Sequence, residues 1–155
     1  HYRLNAENMF RGRFHHTIDP KGRLSIPAKF REAQLEHFGE DLIVVPNEYC
    51  LEVYPLEEWQ HLEEKVRQLP AFSPERKAIA RLFTSKARDV SLDGQGRIQL
   101  PPDCRAETGL GKEVTIVGGG LPYFEVWDRR RFEEFERTHQ DEIPSVLERL
   151  AGMGI

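Results

Sequence analysis

Cysteine is scarce in this chain, with two in 155 residues, Cys50 and Cys104. They stand far apart and form no Cys-x-x-Cys spacing, which argues against a disulfide framework, a zinc ribbon and a thioredoxin-type centre. A reducing cytoplasm is the default compartment on that ground. Long apolar runs are also missing. The longest are a few residues, such as Leu42 to Val45, so the sequence offers no membrane span and no secretory apolar core. Nor is there an overall excess of positive charge, because 22 Lys and Arg face 26 Asp and Glu for a formal net charge of -4. What is present suffices for a folded core. Apolar residues make up 39% and charged residues 31%, which fits one soluble domain or two small ones rather than a disordered chain. His1 to Asn8 precede a start-like Met9, lack periodicity, and read as an expression remnant or a disordered tail.

Charge becomes informative when it is followed along the chain. Between Met9 and Arg31 there are six basic residues, Arg11, Arg13, Lys21, Arg23, Lys29 and Arg31, against the single acid Asp19. Between Arg76 and Arg105 seven basic residues face Asp89, Asp93 and Asp103. A mildly acidic chain thus contains two basic segments set in an acidic remainder. One such segment would be ordinary solvated surface. Both, however, contain the same motif.

Residues 18–27, Ile-Asp-Pro-Lys-Gly-Arg-Leu-Ser-Ile-Pro, recur as Leu-Asp-Gly-Gln-Gly-Arg-Ile-Gln-Leu-Pro at 92–101, displaced by 74 positions. Leu51-Glu52-Val53-Tyr54 with Trp59 returns as Phe124-Glu125-Val126-Trp127 with Phe132, displaced by 73. The chain is a tandem duplication. We divide it into a tail at 1–8, a first half at 9–70, a connecting helix at 71–84, a second half at 85–140 and a C-terminal helix or tail at 141–155.

Each half has the same grammar. Phe10, Gly12, Phe14, His16 and Ile18 alternate with Arg11, Arg13, His15 and Thr17, the period of a half-buried strand. Asp19 and Arg23 bracket Pro20-Lys21-Gly22, a connection with glycine where positive φ is wanted, and Leu24 and Ile26 resume the alternation. The result is a hairpin with a basic tip. Pro27 then opens a helix with Phe30, Ala33 and Phe38 on one face, and Gly39 closes it. Leu42 to Val45 and Cys50 to Tyr54 form a second strand pair, and Pro55 starts a helix along Leu56, Trp59, Leu62, Val66 and Leu69. The second half repeats this, with Asp128 capping its last long helix and Phe132 and Phe135 inside. Glu142 to Leu150 predicts a terminal helix whose Val146, Leu147 and Leu150 stay exposed unless it docks. Strands this short do not make a stable sheet within one half, so the class is α+β with the two halves completing one barrel-like unit.

Catalytic and metal chemistry find little support. His15 and His16 are adjacent and point to opposite faces of a strand, Cys50 has no partner at catalytic spacing, and Gly118 to Gly120 lack the Lys-Ser or Lys-Thr of a phosphate loop. We therefore expect no catalytic residue, no metal, no cofactor and no small-molecule substrate.

The Met9-Phe10-Arg11-Gly12 start, Asp19-x-Lys21-Gly22-Arg23 followed by Ile26-Pro27, and the second Asp93-x-x-Gly96-Arg97 together resemble the MraZ family of bacterial transcriptional regulators. The likeness runs from about Met9 beyond Trp127, and two copies of the motif at this spacing are highly specific. The resemblance implies tandem AbrB-like swapped-hairpin halves forming one β-barrel-like pseudo-dimer with flanking helices, and assembly of chains into a ring. It also implies a cytoplasmic, nucleoid-associated protein that binds double-stranded DNA at short direct repeats in the promoter of the division and cell-wall gene cluster, repressing its own gene. Carried over by position, the DNA-contacting motif falls on Asp19, Lys21, Gly22 and Arg23, and in the second half on Asp93, Gln95, Gly96 and Arg97. Gln95 stands where the first half has Lys21, so the first tip is expected to dominate affinity.

These residue types suit the task. Cations bind phosphate whatever the sequence, while a guanidinium also presents two donors to the edge of guanine. Asp19 across the turn from Arg23, and Asp93 from Arg97, orient the guanidinium, pin the hairpin, or do both. Arg11, Arg13, Lys86 and Arg88 on neighbouring strands serve as phosphate contacts or remain solvated. The alternative class is an antitoxin-like protein-interaction module, with residues 144–155 as its docking segment or as a contact between ring neighbours.

Overall fold

The computed structural model describes residues 10–154, so the expectation for His1 to Asn8 lies outside the described residues. The alternation read from Phe10 to Ile18 produces β1 (Arg11–Thr17), whose arginines and His15 are exposed while Gly12, Phe14 and His16 turn inward. After the turn comes β2 (Arg23–Ser25), then α1 (Ala28–His37), β3 (Asp41–Pro46), β4 (Leu51–Pro55) and α2 (Leu56–Arg67). Next come α3 (Pro74–Leu82), capped by Ser73 accepting from the Arg76 N–H, and a 3-10 turn at Thr84–Lys86. The second half runs β5 (Arg88–Ser91), β6 (Arg97–Gln99), α4 (Pro102–Thr108), β7 (Glu113–Gly119), β8 (Phe124–Asp128) and α5 (Arg129–His139). The last helix is α6 (Glu142–Gly152). The Asp128 carboxylate accepts from the Arg131 N–H at the start of α5, the cap expected there.

The halves exchange strands. The first strand of each pairs with the third strand of the other, β1 with β7 and β5 with β3, all antiparallel. The six-stranded sheet accordingly has the order β1-β7-β8-β4-β3-β5, and β2 and β6 form a separate two-stranded ribbon. Leu24 faces Ile98 in the ribbon and Glu52 faces Glu125 between β4 and β8. These are equivalent positions of the repeat, so the pseudo-twofold axis passes through both pairs. The fold is α+β, as expected. Among the described residues the ladder does not close into a barrel: β1 and β5 remain edges, and the ribbon joins β1 through the single Ile18–Leu24 bridge.

The main core lies between sheet, ribbon and helices, and a smaller apolar cluster forms around Trp59. Phe10, Phe30 and Phe124 are buried with ring centroids 5.1–5.3 Å apart, and Phe14 meets Phe30 at 5.1 Å. Gly118 makes this possible, because a Cβ there would come within 2.7 Å of the Phe30 ring and 2.8 Å of the Phe10 backbone. Gly118 and Gly119 belong to β7, and Gly120, with positive φ, turns the chain. Trp59 is core, packed with Ile43, Val45 and Tyr54. On α1, Gln34 is buried beside Phe30 where the sequence suggested only apolar contacts, and its amide Nε2 donates to the Gly39 carbonyl at 3.0 Å. Of the stripe expected on α6, Val146 and Leu147 are exposed, Leu147 at 58%, while Leu150 is half-buried, and Ile143 adds a further exposed apolar residue at 56%.

Candidate nucleic-acid interface

Strand alternation sorts the ribbon into two faces. Leu24 and Ile98 point inward and are fully buried. Arg23, Ser25, Arg97 and Gln99, paired as Arg23 with Gln99 and Ser25 with Arg97, therefore share the other face. One surface thus carries both motif arginines, related by the pseudo-twofold axis.

Each tip is built by an aspartate whose two oxygens do different things. Asp19 Oδ1 accepts the backbone N–H groups of Lys21 and Arg23, both at 2.9 Å, while Oδ2 accepts Arg23 Nε at 2.7 Å. In the second half Asp93 Oδ1 accepts from the backbone of Gln95 at 2.8 Å and Arg97 at 2.9 Å, and Oδ2 from Arg97 Nε at 2.9 Å. The Gly22 and Gly96 N–H groups close the turns onto the carbonyls of Asp19 and Asp93. Their φ values of 81° and 74° are the left-handed conformation that favours glycine. Because the aspartate takes Nε, both terminal nitrogens of each guanidinium stay available for a further acceptor.

The Arg23 backbone N–H, followed by its guanidinium, holds the Asp19 carboxyl below the usual carboxylate range against the opposing effect of burial. At Asp93 the Arg97 N–H comes first, then the Gln95 N–H and the Arg97 guanidinium. Both acids are ionised at neutral pH, which fixes the orientation of their arginines.

The remaining sequence-predicted cations are not all gathered at the ribbon. Lys21 is exposed at the first tip, and its carbonyl accepts from Gln99 Nε2 at 2.6 Å. Arg11 is exposed on β1, with its carbonyl bound by Lys29 Nζ at 3.1 Å. Arg13 turns to α5, where it pairs with Glu136 and lies 5.0 Å from the Phe132 ring centroid. Lys86 pairs with Glu107 at 2.5 Å and Arg88 with Asp103 at 2.9 Å. Three of the four flanking candidates thus already have an acidic neighbour.

Two arginines beside the tips escaped the reading by motif. Arg31 of α1 and Arg105 of α4 occupy equivalent repeat positions, and each reaches the tip of the opposite half. A Cβ built on Gly96 would overlap Arg31 Cδ and lie 2.7 Å from its Nη1, and one on Gly22 would lie 3.1 Å from Arg105 Nη1. The 74-residue displacement was visible in the sequence; the exchange across the axis was not.

Burial, with the charge of Glu125, pushes the Cys50 thiol far above its ordinary range, which keeps it protonated at neutral pH. His16 Nδ1 lies 2.7 Å from the Ser25 carbonyl and His15 Nδ1 3.3 Å from Thr115 Oγ1, on opposite faces of β1. Among the described residues no group of three or more His, Cys, Asp or Glu could hold a metal ion, and no helix is long and apolar enough to cross a membrane.

Comparison with known proteins adds a family to this geometry. The family model described as "MraZ protein, putative antitoxin-like" matches the chain twice, over residues 9–82 and 83–152. The transcriptional regulator MraZ of Desulfitobacterium hafniense strain Y51 is 43% identical over 148 residues, covering 95% of this chain and 100% of that protein. Transcriptional regulator MraZ from Syntrophobacter fumaroxidans is 38% identical over 146 residues, 94% of this chain and 97% of its own length. The protein of that name from Thermomicrobium roseum is 42% identical over 143 residues, 92% and 98% of the two chains.

Proposed function

The chain belongs to the MraZ family, and from that premise we propose that it is a transcriptional regulator acting through double-stranded DNA. In this reading it binds short direct repeats in the promoter of the division and cell-wall gene cluster, represses its own promoter, and works at the nucleoid. Chains form a ring-like homo-oligomer, so that several tips engage successive repeats and affinity rises by avidity.

The observation that carries the reading is the ribbon. Arg23 and Arg97 share its solvent-facing side, each anchored through Nε and, among the described residues, with no hydrogen-bond partner on its terminal nitrogens. A two-stranded ribbon has the width to enter the major groove, and a guanidinium there donates to O6 and N7 of guanine. The exposed Ile143, Val146 and Leu147 on α6 support an assembly contact, since an apolar stripe left in water favours docking.

The test is a salt titration of binding to a duplex carrying the repeats upstream of the protein's own gene, beside a scrambled duplex of equal length. Tighter binding to the repeats, weakening steeply with salt, is the expected result. Arg23→Ala should cost about 1–3 kcal/mol of that affinity and loosen base preference, and Arg97→Ala should cost less because its tip carries Gln95 in place of Lys21. Equal binding to both duplexes at every salt concentration would refute sequence-specific DNA recognition and move the antitoxin-like interaction module to first place.

A further inference from the structure

We propose that Arg31 and Arg105, exchanged between the halves, are the phosphate clamps of the two tips, an inference that rests on the DNA-binding reading above. The geometry begins with position. Each arginine leaves a helix of one half and lies against the buried tip glycine of the other, Arg31 on Gly96 and Arg105 on Gly22. Glycine at these positions therefore answers two demands, a positive φ for the turn and room for the crossing guanidinium.

Partnership supplies the second argument. Arg23 and Arg97 are held by Asp19 and Asp93, and Arg13, Lys86 and Arg88 by Glu136, Glu107 and Asp103. Among the described residues, the side chains of Arg31 and Arg105 have no acidic partner within ion-pair distance, although both are half-buried. Among the described residues the buried Nε of Arg105 has no acceptor. A guanidinium removed from water without a counter-charge gains more from an arriving anion than a solvated one does. Beside the tips of a DNA-facing ribbon that anion is backbone phosphate. Arg23 and Arg97 then read bases while Arg31 and Arg105 set the register of the ribbon on the duplex. Each tip is composite, so neither half makes a complete one.

The experiment measures binding of the full chain to the repeat and scrambled duplexes across a salt series, for the unchanged protein, Arg31→Gln, Arg105→Gln, the double Gln variant and the corresponding Lys variants. Phosphate clamping requires each Gln variant to weaken both duplexes by the same factor and to lower the salt slope by about 1 per contact removed. The Lys variants keep the charge and should retain the slope. Thermal melting runs alongside, because a purely structural role would lower the melting temperature without changing the slope. A folded double Gln variant with unchanged slope overturns the proposal and leaves the DNA reading intact, provided Arg23→Ala still loses binding. Failure of the unchanged protein to bind either duplex overturns both.

Discussion

Asp19→Asn separates two ideas about the tip because charge counting and geometry predict opposite signs for it. Asparagine keeps an oxygen where Oδ1 accepts the Lys21 and Arg23 N–H groups, so the turn is preserved. Its amide replaces Oδ2, and an N–H group then faces Arg23 Nε where the 2.7 Å contact stood. If charge alone governed binding, loss of a carboxylate beside DNA would strengthen it on every sequence. If the carboxylate aims the guanidinium, the arginine is freed among its rotamers and the contact to guanine is lost. A bidentate arginine contact discriminates by about 1–3 kcal/mol, roughly 5- to 150-fold in a binding ratio. The preference for repeats over a scrambled duplex should fall within that range, while affinity for the scrambled duplex holds or rises. Fluorescence anisotropy on both duplexes at one salt concentration reads the two quantities separately. An unchanged or larger preference in a folded Asp19→Asn protein would refute the orienting role and reduce the Asp19–Arg23 pair to a hairpin pin.

Other consequences can be checked independently. Ala at Arg13, Lys86 or Arg88 should each change promoter affinity by less than about threefold, since their acids already hold them and exposed pairs contribute little; an electrophoretic shift assay showing a tenfold loss would return that residue to the interface. Phe30→Ala should destabilise the protein by about 3–5 kcal/mol, because it leaves a hole among Phe10, Phe14 and Phe124; chemical denaturation checks this. Asp19 and Asp93 have folded pKa values below their unfolded ones, so their contribution to stability is complete above the ordinary carboxylate range and is lost as pH falls through the lowered values. In an NMR titration the amides of Lys21, Arg23, Gln95 and Arg97 should shift with midpoints below that range, and midpoints at or above it would contradict the assigned hydrogen bonds.

Features whose causes are local can be read along the chain. Alternation along Phe10 to Ile18 is a strand because successive side chains point to opposite faces, and the Asp-x-x-Gly-Arg tip is legible because every contact within it spans four residues or fewer. The duplication, the α+β class and the helix start at Asp128 are of the same kind. The buried Gln34 was harder to see: its polar amide ties the end of α1 to Gly39, a role that apolar periodicity does not register. Which strands pair across the halves emerges on folding, and that choice governs the interface. It brings Arg23 and Arg97 onto one ribbon, and it carries Arg31 and Arg105 to tips more than sixty residues away in one case and more than eighty in the other. It also sets Arg13 against Glu136, 123 positions along the chain. Charge in a sequence is a count of ionisable groups; whether a given cation is free to meet a phosphate depends on the acid that folding sets beside it.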